Sequence, residues 1–202
     1  MSRSGKPLLL ESIAILDGVP QRIELHQGRV DRSRRELLHL QSSLDLLTLI
    51  DVPEDHRIGL VKCRILYDVE AHSVGFSHYQ PREHKGIAIV QTDIDYSYKF
   101  ADREIFSDLE AKAQDRAIII VRDGFVTDST YANLVFFNGE LWVTPDTPLL
   151  NGVMRQWLLG QGAIVERRIA INDLGSYQSV KLINALRSLV LPPIPLNDII
   201  HL

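Results

Sequence analysis

The chain has 202 residues, a formal charge of −4 and an isoelectric point near 6.0, which gives it no general attraction to nucleic acid or acidic membranes. Its hydrophobic content of 45% is ample for one large or two small packed domains, and its single cysteine, Cys63, excludes a disulfide framework and points to a reducing compartment. The opening MSRSGKPLLLES has too short an apolar run before Glu11 for a signal-peptide core or a membrane span, so a soluble cytoplasmic protein is expected.

LLLESIAILDG (8–18) reads as a strand leading through a DG turn to QRIELH, and RVDRSRRELLHLQ (29–41) as the start of a helix with apolar Val30, Leu37 and Leu38. LDLLTLIDV (44–52) reads as a second helix closed by Pro53, followed by strands at IGLVKCRILYD (58–68) and VEAHSVGFSHY (69–79). The polar QPREHKG (80–86) is the best linker. It sets a boundary near residue 84, with a small N-terminal α/β domain over 1–83 and a larger domain over 84–202. The second half opens with the strand GIAIVQTDI and passes through YSYKFADREIFSDLEAKAQ, helical from about Asp102, into the strand AIIIVRDGF.

Residues 123–159, DGFVTDSTYANLVFFNGELWVTPDTPLLNGVMRQWLL, are the most informative stretch. DG and NG turn signals flank the apolar run from Asn133 to Phe137, and LWVTP ends at Pro145, so a meander of antiparallel strands is expected. Asn151 and Gly152 then precede a helical apolar pattern at Val153, Trp157 and Leu158. The open backbone N–H groups of such a helix start attract an anion, phosphate being the usual one. Beyond residue 160 come IVERRIAINDL, a strand pair or strand and turn at KLINALRSLVL, and a short Pro-rich tail, with no internal repeat. His72, His78 and His84 share one region without a carboxylate or cysteine at ligand spacing, so surface histidines are expected there and no metal site.

YKFADR, VTDSTYANLVFF, LWVTP and LLNGVMRQ, in this order and spacing, resemble the signature of the class IV (fold type IV) pyridoxal phosphate enzymes. These are the branched-chain and D-amino-acid aminotransferases and aminodeoxychorismate lyase. LLESIAILDG resembles the family's early strand with its Glu, and LHQGRVDRS its H-x-x-R-L segment; K-x-x-x-R, N-G-V-M-R-Q and L-I-N-A-L most resemble the lyase. The resemblance implies a two-domain α/β (α+β) fold of the D-amino-acid aminotransferase type, in which 84–202 form a pseudobarrel domain with the catalytic lysine. It also implies pyridoxal 5'-phosphate as cofactor, a small-molecule amine as substrate and a homodimer.

By that resemblance Lys99 is the Schiff-base lysine, a role that needs an amine able to become neutral; an isolated lysine would otherwise read as a solvated charge. Asp128 stands where the family usually has a Glu facing the pyridine nitrogen, although TDST alone reads as a turn or cap. Arg29 matches the phosphate-binding arginine, while its cluster with Arg32, Arg34 and Arg35 alone reads as a solvated helix face. Gly152, Val153 and Met154 correspond to the phosphate-binding helix start, Met154 replacing a Thr common in relatives. Thr127, Ser129 and Thr130 reach either cofactor groups or nearby backbone, and Asn133 and Arg155 match positions that hold the site's architecture. The chain begins close to the early strand, whereas family members generally have a longer N-terminus, so an altered or shortened substrate wall is expected. Ser12 is a candidate stand-in for a lyase-type Thr, Arg64 and Tyr67 are candidates for a substrate carboxylate, and Asn184 is either near the substrate or a turn residue. Three readings stay open: a lyase forming p-aminobenzoate and pyruvate, an aminotransferase for branched-chain or D-amino acids, and a non-catalytic cofactor-binding relative.

Overall fold

The computed structural model describes residues 5–202, so the first four residues of the opening segment lie outside the described residues. The chain forms two compact units. One runs through Gln80 and takes back Tyr98–Asp102; the other comprises Pro81–Ser97 and Arg103–Leu202. Lys99, which the sequence reading assigns to the larger half, therefore packs with the first unit. The reason is a local backbone pairing described below.

The first unit contains β1 (Leu9–Leu16), β2 (Val19–Pro20), α1 (Ile23–Glu36), α2 (Leu46–Leu49), a 3-10 turn at Glu54–His56, β3 (Leu60–Tyr67) and β4 (Ala71–His78). The strands form one antiparallel sheet in the order β2-β1-β3-β4. Asp17 and Gly18 take φ of 48° and 82°, the mirror-image turn that the DG pair favours in a tight hairpin. Because side chains alternate along a strand, Leu9, Ile13 and Ile15 share one face with Val61, Cys63, Ile65 and Tyr67, and they pack against Val30 and Leu38. Phe100 bridges Leu9 on the other edge of β1, with Leu10 N–H donating to the Lys99 carbonyl and Ala101 N–H to the Leu8 carbonyl, both at 2.9 Å.

Two helix expectations are corrected here. Helix α1 starts six positions before Arg29 and stops short of Leu37, because its buried stripe is His26, Arg29, Val30, Ser33 and Arg34. Four of those five are polar, so no apolar period marks the helix. Residues 44–52 form only the four-residue α2, which Asp45 caps by accepting from the Leu47 N–H.

The second unit contains β5 (Ile87–Gln91), α3 (Glu104–Ala113), β6 (Ala117–Arg122), β7 (Phe125–Val126), β8 (Asn133–Phe137), β9 (Trp142–Pro145), α4 (Val153–Gly160), β10 (Val165–Arg167), a 3-10 helix at Ile171–Ser176, β11 (Ser179–Ile183), β12 (Ile194–Pro195) and β13 (Ile199–His201). Its two sheets have the orders β13-β5-β6-β7 and β10-β9-β8-β11-β12. They share one core, in which Ile87, Ile119 and Val121 of the first meet Leu134, Phe136, Val143 and Leu182 of the second.

The single expected meander is thus split. The DG turn joins β6 to β7 and the NG turn joins β8 to β9, but these two hairpins lie in different sheets. Turn residues specify a local hairpin and carry no information about which sheet it enters. The Pro-rich tail is also more ordered than its composition suggests, since β12 extends one sheet and β13 pairs in parallel with β5. Among the described residues no helix is long and apolar enough to cross a membrane.

Candidate active site

In the first unit, Glu11 is fully buried and collects three polar contacts. Arg29 donates through Nε to Oε1 at 2.8 Å and through Nη2 to Oε2 at 2.6 Å, and His26 Nδ1 lies 2.6 Å from Oε2. The helical turn makes this possible, because positions three apart on α1 share a face. Burial alone would raise the Glu11 carboxyl, but the charge and hydrogen bonds of Arg29, joined by those of His26, outweigh it and hold Glu11 well below the usual carboxylate range. Burial in turn lowers His26 and favours its neutral ring.

Arg29 is therefore not part of a single solvated basic face. Arg29 and Arg34 are buried while Arg32 and Arg35 pair with Glu36 at the surface. Arg34 clamps the chain by donating to the carbonyls of Ser42, Asp68 and Val69. The carbonyl of Lys99 accepts from Leu10, one residue before Glu11, so the lysine is fixed alongside this buried cluster.

The substrate candidates of this unit separate. Ser12 and Arg64 are cross-strand partners on one face of the sheet. Tyr67 lies on the opposite face with 1% exposure, hydrogen-bonded to Ser33, and burial pushes its hydroxyl above the ordinary range. Arg64 and Tyr67 do not form one carboxylate cradle, because strand alternation points them apart.

In the second unit, Asp128 is buried, and each carboxylate oxygen has a donor. Asn133 Nδ2 lies 2.7 Å from Oδ1 and Leu150 N–H donates to Oδ2 at 2.9 Å, while Asn133 Nδ2 also reaches the Leu150 carbonyl at 2.8 Å. Burial pushes the Asp128 carboxyl up to about 6, against the opposing bonds from Leu150 and Asn133 and the charge of Arg155. A Cβ on Gly152 would lie 2.1 Å from Asn133 Oδ1, so glycine is needed there for space, its φ of −70° being open to any residue.

Helix α4 follows without a side-chain cap at Gly152, and its ladder begins with Gln156 N–H to the Gly152 carbonyl at 3.0 Å. The N–H groups of Val153, Met154 and Arg155 stand outside that ladder. Val153 and Met154 are buried, and the Met154 side chain packs with Val135, Leu158 and Ile183, so this position offers a ligand its backbone only.

The neighbouring hydroxyls divide by partner. Thr127 Oγ1 donates to the Ile120 carbonyl at 2.9 Å, a backbone role, whereas Ser129 Oγ is buried with no partner among the described residues. The Thr130 carbonyl accepts from Arg103 Nη2 at 2.9 Å. Arg155 bonds the Pro145 carbonyl, Asn151 and Glu166, a structural brace. Asn184 is a turn residue whose backbone pairs reciprocally with Arg187, and its side chain also reaches the Tyr131 carbonyl at 3.3 Å.

The three histidines are dispersed. His72 pairs with Asp68 at 2.6 Å, a carboxylate partner overlooked at sequence level; His78 stacks on His56, and His84 meets the Tyr131 hydroxyl at 2.7 Å. No group of three or more His, Cys, Asp or Glu side chains that could hold a metal ion occurs among the described residues. Cys63 is buried, and its thiol is pushed up to about 12 by desolvation. Sequence reasoning missed the partners of Arg29. A Glu on the core face of a strand opposite a helical His-x-x-Arg was the available signal. Arg103, the Arg of the quoted K-x-x-x-R pattern, stood out in the sequence, but its bond to the Thr130 carbonyl did not.

Comparison with known proteins gives the family and the fold. The model of the class IV aminotransferases matches residues 101–191. A protein of Haemophilus influenzae, itself uncharacterized, is 38% identical over 186 residues, spanning 90% of this chain and 98% of its own length. A crystal structure from Haemophilus somnus, provisionally named a 4-amino-4-deoxychorismate lyase, is 34% identical with a TM-score of 0.82, covering 94% of this chain and all of that one. A Mycobacterium tuberculosis chain described as a hypothetical aminotransferase and solved with PLP superposes with a TM-score of 0.74 at 16% identity, covering 96% of this chain and 81% of that one. The chain belongs to the class IV aminotransferase family and has the α/β architecture of fold type IV. This is an enzyme family of aminotransferases and lyases.

Proposed function

We propose that the chain is a pyridoxal phosphate-dependent 4-amino-4-deoxychorismate lyase, releasing p-aminobenzoate and pyruvate. The observation that carries this reading is the 34% identity, over the full length of the relative, to a structure provisionally given that name. The residues present suit the cofactor. Ser129 Oγ is a buried hydroxyl without a partner, Asp128 is a buried carboxylate, and the uncapped start of α4 is a phosphate-type anion site.

When bound, pyridoxal phosphate supplies an aldehyde that links to an amine and a ring that accepts the electrons of the adjacent C–H bond. For the phosphate, the candidate in the first unit is Arg29, fixed in orientation by Glu11, and the candidates in the second are the N–H groups of Val153 and Met154. Asp128, ionised above about pH 6, would accept a hydrogen bond from the ring N–H and keep that nitrogen protonated, and Asn133 with the Leu150 N–H keeps its carboxylate aimed. Lys99 Nζ would hold the cofactor at rest and, once freed by the substrate amine, would serve as the base for the proton on the carbon next to that amine. Loss of pyruvate from the substrate ring leaves an aromatic product. Arg64, beside Ser12, is the cation proposed for the substrate carboxylate.

A second reading, an aminotransferase, is favoured by the description of the matching family. Both readings use a homodimer, for which light scattering should give twice the chain mass. The deciding assay incubates cofactor-loaded protein with aminodeoxychorismate and measures p-aminobenzoate and pyruvate, with Lys99→Ala as control. Equal amounts of both from the wild type alone support the lyase. Neither product, with an amino donor changing the cofactor absorbance, transfers the assignment to the aminotransferase.

A further inference from the structure

His26 is the one member of the buried cluster that the mechanism above leaves without a task. Its side chain is fully buried on α1, and Nε2 has no hydrogen-bond partner among the described residues. The tautomer follows from its neighbour. Glu11 is held ionised by Arg29 and can only accept, so the 2.6 Å contact requires that Nδ1 carry the proton. In the neutral ring Nε2 is then a buried lone pair able to accept from a donor brought to it.

The groups that bear on this ring are few. Glu11 contacts it from β1, Arg29 Nη2 lies 3.5 Å from Nδ1 on its own helix, and the charge of Lys99 in the 98–102 segment acts on it, while Tyr67 of β3 bears on Glu11. Lys99 is the amine among them, and its backbone is pinned to β1 one residue before Glu11.

We propose that His26 is a positioning residue for Lys99, its Nε2 lone pair accepting from the lysine ammonium that forms when Lys99 takes a proton during turnover. Glu11 fixes the imidazole with this lone pair outward, and Arg29 neutralises Glu11 so that the ring itself stays uncharged. The inference rests on the reading of Lys99 as the cofactor-bearing base.

The test uses the full-length chain free of cofactor, so that it is read separately from turnover. Lys99 is labelled with an amine reagent across a pH series, and its modification is followed by peptide mass spectrometry in the wild type, His26→Phe and His26→Gln. Loss of the acceptor in His26→Phe should lower the labelling midpoint by about one pH unit, a roughly tenfold gain in Lys99 reactivity at fixed pH. His26→Gln, whose amide oxygen can stand near the place of Nε2, should recover part of the difference. An unchanged midpoint in His26→Phe overturns the proposal. Should that variant fail to fold, nitrogen NMR of the wild type and Lys99→Met decides: a His26 Nε2 resonance that is unprotonated and moves on loss of Lys99 supports it, and one that is protonated or does not move overturns it. Intact coupling without any lyase or aminotransferase turnover would count against the proposed function alone.

Discussion

Asn133 Nδ2 sits 2.7 Å from Asp128 Oδ1 and 2.8 Å from the Leu150 carbonyl, so one amide group ties the buried carboxylate to the segment leading into α4. Replacing Asn133 with Ala removes both bonds and leaves Asp128 with backbone donors from Leu149 and Leu150. Leaving buried polar groups unsatisfied costs about 1–3 kcal/mol each, so urea unfolding of Asn133→Ala should show a lower midpoint with an unchanged slope. Cofactor affinity should fall as well.

Gly152→Ala tests the same junction sterically. The added Cβ would stand 2.1 Å from Asn133 Oδ1. Asn133 must move, and the expected loss of stability is on the order of 2–3 kcal/mol, in the range of overpacked sites. Calorimetry on the variant and on Asn133→Ala/Gly152→Ala should show strong non-additivity, since the first change removes the atom that the second strikes.

The two buried carboxyls respond to pH with opposite sign. Asp128 has its folded pKa raised from 3.8 to about 6, so its contribution to stability is complete below 3.8 and disappears as pH rises through 6. The difference amounts to about 3 kcal/mol. Glu11 is shifted downward from 4.5, so its contribution is present above that pH and is lost on acidification. Denaturation midpoints measured across pH should lose the mid-range decline in Asp128→Asn and the acid-side decline in Glu11→Gln.

Arg29→Ala should be severe before any chemistry is considered. It strips Glu11 of two donors and leaves a buried carboxylate beside His26. Breaking a buried ion pair from one side costs about 3–5 kcal/mol. Thermal unfolding should place Arg29→Ala well below Arg32→Ala, whose side chain is 39% exposed and pairs with Glu36 at 3.6 Å.

The site was more legible in the sequence than the path of the chain between its parts. Gly152 and the helix after it stood out because an Asn-Gly pair precedes a clear apolar period, and α4 begins at Val153. Strands β3 and β4 fell where β-branched residues and turn signals placed them. Helix α1 was misplaced because its inward face is built from His26, Arg29, Ser33 and Arg34, and a hydrophobic period cannot report polar burial. The transfer of Lys99 to the first unit rests on backbone bonds from Leu10 and Ala101, to which side-chain patterns are blind.

Strand β13 shields the backbone of β5 along Ile87–Ile89, and Arg116 anchors it through Asp198 at 2.9 Å. Take Ile199–His201 away, by proteolytic nicking past Asp198 for instance, and β5 presents a bare row of amide and carbonyl groups to any passing chain. The C-terminal strand thus works as a colloidal safeguard, keeping an isoleucine-rich edge from recruiting copies of itself.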